Sequence, residues 1–202
     1  MPADLVVLVA DKNMDYGVRG LLARPAALGI RPLQFETFVH PRRDPGCARD
    51  AHTFLRPFAP QYQRALILFD YEGSGFDDTP SDALAADVRA RVDVDWAGRA
   101  EVILLKPELE NWVFANSPHV EACIGWAGTV PLRAWLEQRG LWNAQDAKPQ
   151  HPKEALEEAL RAMRQPRSSS IYDCIASKVS TRGCTDASFI RMRDVLCAWF
   201  PK

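Results

Sequence analysis

Six carboxylates stand just past three runs of apolar residues, and their placement is the chemically suggestive feature of the chain. Asp11 and Asp15 follow the run 4–10 (DLVVLVA), Asp70 and Glu72 close the run 64–70 (RALILFD), and Glu108 and Glu110 follow the run 101–105 (EVILL). Carboxylates brought together repel and raise one another's pKa, so such a group must be solvated, protonated or neutralised by a cation. Mg²⁺ or Mn²⁺ meets that need: it takes oxygen ligands, keeps several waters and is commonly held by one or two carboxylates plus substrate phosphates. An ion so held polarises a phosphodiester, orients a water and stabilises the leaving oxygen. Asp11, Asp70, Glu72 and Glu110 are the candidate ligands, Asp70 and Glu72 with Lys12 the candidate catalytic set, Lys12 as a phosphate contact.

Each of these residues also has a plain structural role open to it. Asp11 or Asp15 can cap the following helix, and either could be the member that belongs to the site. Glu108 and Glu110 can complement a helix dipole, Lys12 can be a solvated surface lysine, and Trp112 reads as core. Asp70 is the hardest to explain away, since it ends a strongly apolar strand just before a Gly-rich loop, Gly73-Ser74-Gly75.

For the acids to meet, the runs must be parallel strands, because a parallel sheet points every strand's C-terminal end at one edge, where such folds place ligands. The pattern agrees. Strands are expected over 4–10, 33–39, 64–70 and 101–105, with helices from Met14 to Leu28 ending at Gly29, from Ala48 to Phe58, from Ser81 (as N-cap) to Val92, and from Pro107 onward. Strand and helix alternate four times, which predicts an α/β, doubly wound, mainly parallel four-stranded sheet covered by helices on both faces. After Pro118 the pattern turns helical, with helices over 131–139, 152–164, 169–179 and 186–199. Residues 1–116 are thus expected to form the core and 117–202 a helical C-terminal extension packed on it.

Several classes are disfavoured. The apolar runs are far shorter than the roughly 20 residues that cross a bilayer, so no membrane contact is expected. The first residues, Met1-Pro2-Ala3-Asp4, carry neither the basic region nor the apolar stretch of a secretory signal, which implies a cytoplasmic protein with reduced thiols and no disulfides. The five cysteines form no zinc-site spacing, no serine has a nucleophile-elbow context, and no phosphate-cradling Gly motif is present. Net charge is −1, with a basic excess from residue 151 onward. There Arg161, Arg164, Arg167, Lys178, Arg182, Arg191 and Arg193 could line a nucleic-acid backbone or form a solvated face.

The order of motifs resembles the Toprim superfamily, which includes primases, topoisomerases, OLD nucleases and phage-defence families of the RloB type. The matching residues are the acid after the first strand (within Ala10-Asp11-Lys12-Asn13-Met14-Asp15), the pair Asp70-Tyr71-Glu72-Gly73, and Pro107-Glu108-Leu109-Glu110-Asn111-Trp112. The resemblance covers about residues 4–115. The whole chain also looks like small proteins of bacterial methylation-associated defence systems. Two departures stand out: Asp11 replaces the usual Glu and lacks its neighbouring Gly, and Asp70-x-Glu72 replaces Asp-x-Asp. The resemblance implies a Toprim-like (Rossmann-like) core and a metal-dependent, nuclease-like protein acting on DNA or RNA in anti-phage defence. The alternative it leaves open is a non-catalytic scaffold or sensor that binds other defence-system subunits.

Overall fold

In a computed structural model the residues described are 2–76 and 78–202. Four strands, β1 (Ala3–Val9), β2 (Phe35–Val39), β3 (Tyr62–Asp70) and β4 (Ala100–Leu105), form one sheet of order β2-β1-β3-β4, every pair parallel. Leu5 to Val9 and Ala65 to Phe69 have no exposed surface, which is why these strands read as unbroken apolar runs. The expected α/β class and parallel four-stranded sheet are therefore present.

The strand order reverses between β1 and β3. From β1 the chain steps outward to β2 through α1 (Lys12–Leu22) and α2 (Pro25–Leu28), then crosses back through α3 (Arg43–Leu55) to β3 and on through α4 (Ser81–Trp96) to β4. Right-handed crossovers in opposite directions put α1 on one face and α3 with α4 on the other. The crevice that ligands favour in such folds opens at this reversal, between the ends of β1 and β3. Asp11 and Asp70 stand there.

Beyond β4 come α5 (Glu110–Val113), α6 (His119–Ile124), α7 (Leu132–Gln138), α8 (Pro152–Ala162), α9 (Ser169–Lys178) and α10 (Ala187–Trp199). α9 packs along α1, α10 against β4 and α8 against α5, and the buried side chains of both halves form one continuous cluster. No helix among the described residues is long and apolar enough to cross a membrane.

Several local expectations are corrected. The helix expected over 14–28 is two: α1 ends at Leu22, Pro25 opens α2 at its first turn, and Gly29 closes α2 in the left-handed conformation (φ 85°). α3 begins at Arg43, five residues before the expected Ala48. Ser81 is the first residue of α4 rather than its cap; Pro80 holds the cap position and makes no side-chain bond. The helix expected at Pro107 starts at Glu110, and α6 was not foreseen. The expectation of no disulfide is overturned: Cys123 in α6 and Cys174 in α9 are bonded, with their Cα atoms 5.7 Å apart. The two are 51 residues apart, so only the packing of α6 on α9 reveals the pair.

Candidate functional site

Asp70 anchors the site. It is the last residue of β3, in register with Leu105, and its main-chain N–H donates to Asp44 Oδ1 at 2.8 Å. Its own Oδ1 is shielded from solvent and has no hydrogen-bond partner among the described residues. Burial, followed by the charges of Asp44, Glu110, Asp11 and Glu108, pushes the Asp70 carboxyl well above the usual range. Of the acids expected at this edge, Glu110, Asp11 and Glu108 act on Asp70 as like charges, and Asp44 joins them.

Asp44 is the member that sequence reasoning missed. It lies in the first turn of α3, just past β2, so it obeys the same edge rule that picks out Asp11 and Asp70. A helix expected to start at Ala48 leaves it in a loop and hides it. Burial raises its carboxyl too, Asp11 adding to the effect while the N–H of Asp70 and the ammonium of Lys153 oppose it.

The other acids divide by what already holds them. Asp11 caps α1, Oδ1 accepting from the Met14 N–H at 2.8 Å, yet its charge still reaches Asp44 and Asp70. Asp15, the other candidate after β1, accepts from Arg19 Nε at 2.8 Å and from the Thr37 hydroxyl, which ties α1 to β2. Of the two acids after β1, Asp11 is the one whose charge acts on Asp44 and Asp70. Glu108 is buried and caps α8 from a distance, Oε1 accepting from the Lys153 N–H at 2.9 Å. Burial and then Glu110 raise its carboxyl. Glu110 is 2% exposed and is held by Arg167 and by the Tyr172 hydroxyl, both from the extension. Glu72 is exposed, near enough to add to the repulsion on Glu108. Lys12 is also exposed, with its ammonium 5.7 Å from the Tyr16 ring centre.

Of the seven basic residues singled out in the extension, four are held in ion pairs. Arg167 binds Glu110 and Glu157, Arg161 binds Glu158, Arg191 binds Glu101 and Arg193 binds Asp194. Trp112, expected in the core, packs edge-on against Phe189 and donates from Nε1 to Asp186 at 3.0 Å.

Compared with protein-family models, curated proteins and solved structures, the chain gives no significant match to any of them. The site must therefore be judged on its donors. Among the described residues no three His, Cys, Asp or Glu side chains are gathered into a ready metal cage. What is present is one shielded, unsatisfied carboxylate oxygen on Asp70, with Asp11 and Asp44 contributing charge beside it. Hard oxygen donors in that number suit an ion that takes one or two protein carboxylates and completes its shell with water and phosphate.

Proposed function

We propose that the chain is a Mg²⁺- or Mn²⁺-dependent, nuclease-like protein that acts on the phosphodiester backbone of DNA or RNA. The observation that carries this reading is the shielded, unpartnered Oδ1 of Asp70 at the strand-order reversal, in a field of like charge. Asp70 would hold the ion, with Asp44 and Asp11 adding charge beside it. Glu110 is committed to Arg167 and Tyr172, and Glu72 stands exposed beside the edge. A divalent ion there would polarise a phosphodiester and orient an attacking water. The chain's own part is to set the carboxylates, to shield Asp70, and to offer exposed cations such as Lys12 and Lys153 to an anionic substrate. A place in bacterial anti-phage defence rests on the Toprim resemblance alone.

A second reading is favoured by one observation: two residues of the extension hold Glu110, Arg167 by an ion pair and Tyr172 by a hydrogen bond from its hydroxyl, and so bolt the helical half to the acidic edge. On that reading the edge is a structural joint, and the chain is a scaffold or sensor subunit of a defence complex.

One melting experiment separates them. Under the first reading, millimolar Mg²⁺ or Mn²⁺ stabilises the chain over chelator, by about 2.7 kcal/mol at 100 times Kd, or roughly 5–10 °C for a chain of this size. Asp70→Asn abolishes that gain, along with any divalent-dependent cleavage of labelled DNA or RNA, while raising Tm in chelator by relieving repulsion. Glu110→Gln lowers Tm and keeps the metal gain. Under the second reading neither ion moves Tm, no cleavage occurs, and Asp70→Asn is no more stable than the parent in chelator.

A further inference from the structure

A second concavity lies away from the ends of β1 and β3, where the helical extension packs on α1 and α5. It is a cavity of about 830 Å³ between α1, α5, α7, α9 and the loop 180–185. That volume falls in the range of small-molecule sites, which are mostly apolar with a few placed polar groups. Its lining has this character: it is mainly apolar and includes two aromatic pairs, Phe114 and Trp142 edge-to-face at 5.3 Å and Trp112 with Phe189 at 5.5 Å. The disulfide joins α6 and α9, two helices that contribute lining residues.

The charges at the cavity are uneven. Glu121 is occupied, its Oε1 accepting from the Leu132 N–H at 2.7 Å. Arg133 is paired with Glu137, and Lys148 donates to the Asn111 carbonyl and lies 3.7 Å from Asp186. Arg182 is exposed, lines the cavity, and its guanidinium has no partner among the described residues. A largely apolar cavity with paired aromatic rings in its lining and an uncommitted guanidinium at its side suits a ring system that carries an anionic group.

We propose that this cavity is a binding site for a small aromatic anion, with the rings held among Trp112, Phe114 and Trp142 and the acid met by Arg182. The cavity is separate from the acidic edge but shares a wall with it, since Tyr172 lines the cavity and its hydroxyl holds Glu110.

The test uses two dyes on the folded, oxidised chain: 8-anilinonaphthalene-1-sulfonate, which is aromatic and anionic, and its uncharged analogue N-phenyl-1-naphthylamine. The expected result is saturable binding of one dye per chain, with tryptophan emission quenched as dye emission rises. Ala115→Trp fills the cavity from its lining and should weaken both dyes at least tenfold. Thr185→Trp, at an exposed lining position, does the same by blocking the mouth should the first variant fail to fold. Arg182→Ala should weaken the sulfonate dye about tenfold and leave the uncharged dye unchanged. No saturable binding by the parent, or parent-like binding by a folded blocking variant, overturns the site. Equal loss of both dyes, or of neither, in Arg182→Ala overturns the anionic class.

Discussion

A carboxylate that ends a strand of otherwise apolar residues has few ways to be satisfied, and at Asp70 the protein leaves two: a proton or a cation. Its Oδ1 has no donor among the described residues, Asp44 uses an oxygen on the Asp70 N–H, and Asp11 and Glu110 are each bonded elsewhere. Proton and cation would compete there, so the metal effect proposed above must depend on pH. The carboxyls of Asp70, Asp44 and Glu108 are all raised, chiefly by burial. A raised carboxyl favours its neutral form in the fold, so its contribution is full below the unfolded value and is lost as pH rises through the folded one. His40 runs the other way. Burial and then Arg42 lower its pKa, its Nδ1 accepts from the Arg42 N–H at 3.1 Å, and its contribution is lost as pH falls below the ordinary histidine range. Comparing Tm with Mn²⁺ against Tm in chelator at the same pH cancels the histidine. The gain should be small at about pH 5.5 and several-fold larger at about pH 8, with protons released on titration of the ion. A gain that is flat or falls with pH would separate the ion from these carboxyls.

At the scale of elements, what the sequence shows depends on whether a side chain's surroundings are local. β1 and β3 are legible because burial on both faces demands continuous apolar runs, and Gly29 is legible because a left-handed residue closes α2. The acids after β1, β3 and β4 are legible by position, since parallel strands end at one edge. The partners of those acids are not: Arg167 and Tyr172 reach Glu110 from 57 and 62 residues away, and nothing in their spacing announces it. The same holds for the packing of α9 on α1, which turns on a glycine inside a helix. A Cβ at Gly20 would lie 2.8 Å from the Ala176 Cβ and 3.3 Å from the Asp173 carbonyl oxygen. Gly20→Ala would gain about 1 kcal/mol of helix propensity in an open helix. Here the crowding should outweigh it, with a net loss of about 1–2 kcal/mol in denaturant unfolding. The double variant Gly20→Ala with Ala176→Gly should recover part of that loss, a coupling expected only if the two helices touch at this point. A single variant as stable as the parent would mean that α1 and α9 sit farther apart.

For the molecule as a whole, the extension is more than an appendix, because its side chains share the core of the sheet, its Arg167 neutralises an edge acid, and a covalent bond closes it on itself. The cysteine arithmetic of the sequence, five thiols without a paired spacing, gives no hint of that bond. Bonding Cys123 to Cys174 restrains the intervening chain, including α7, α8 and the loop between them, in the unfolded state as well as in the fold. Loop closure at a separation of 51 residues corresponds to about 4 kcal/mol in the chain-entropy estimate. Reduction by dithiothreitol, or Cys123→Ser, should therefore lower Tm by roughly 8–16 °C. Thiol titration supplies the independent reading: Cys47, Cys184 and Cys197 are the free thiols, so the unfolded, unreduced chain should react at three sites and the reduced chain at all five cysteines. Five reactive thiols before reduction, with Tm indifferent to dithiothreitol, would show that α6 and α9 are held by packing alone. The result also bears on the cavity: with the bond broken and α6 released from α9, dye binding should weaken even though every aromatic lining residue is still present.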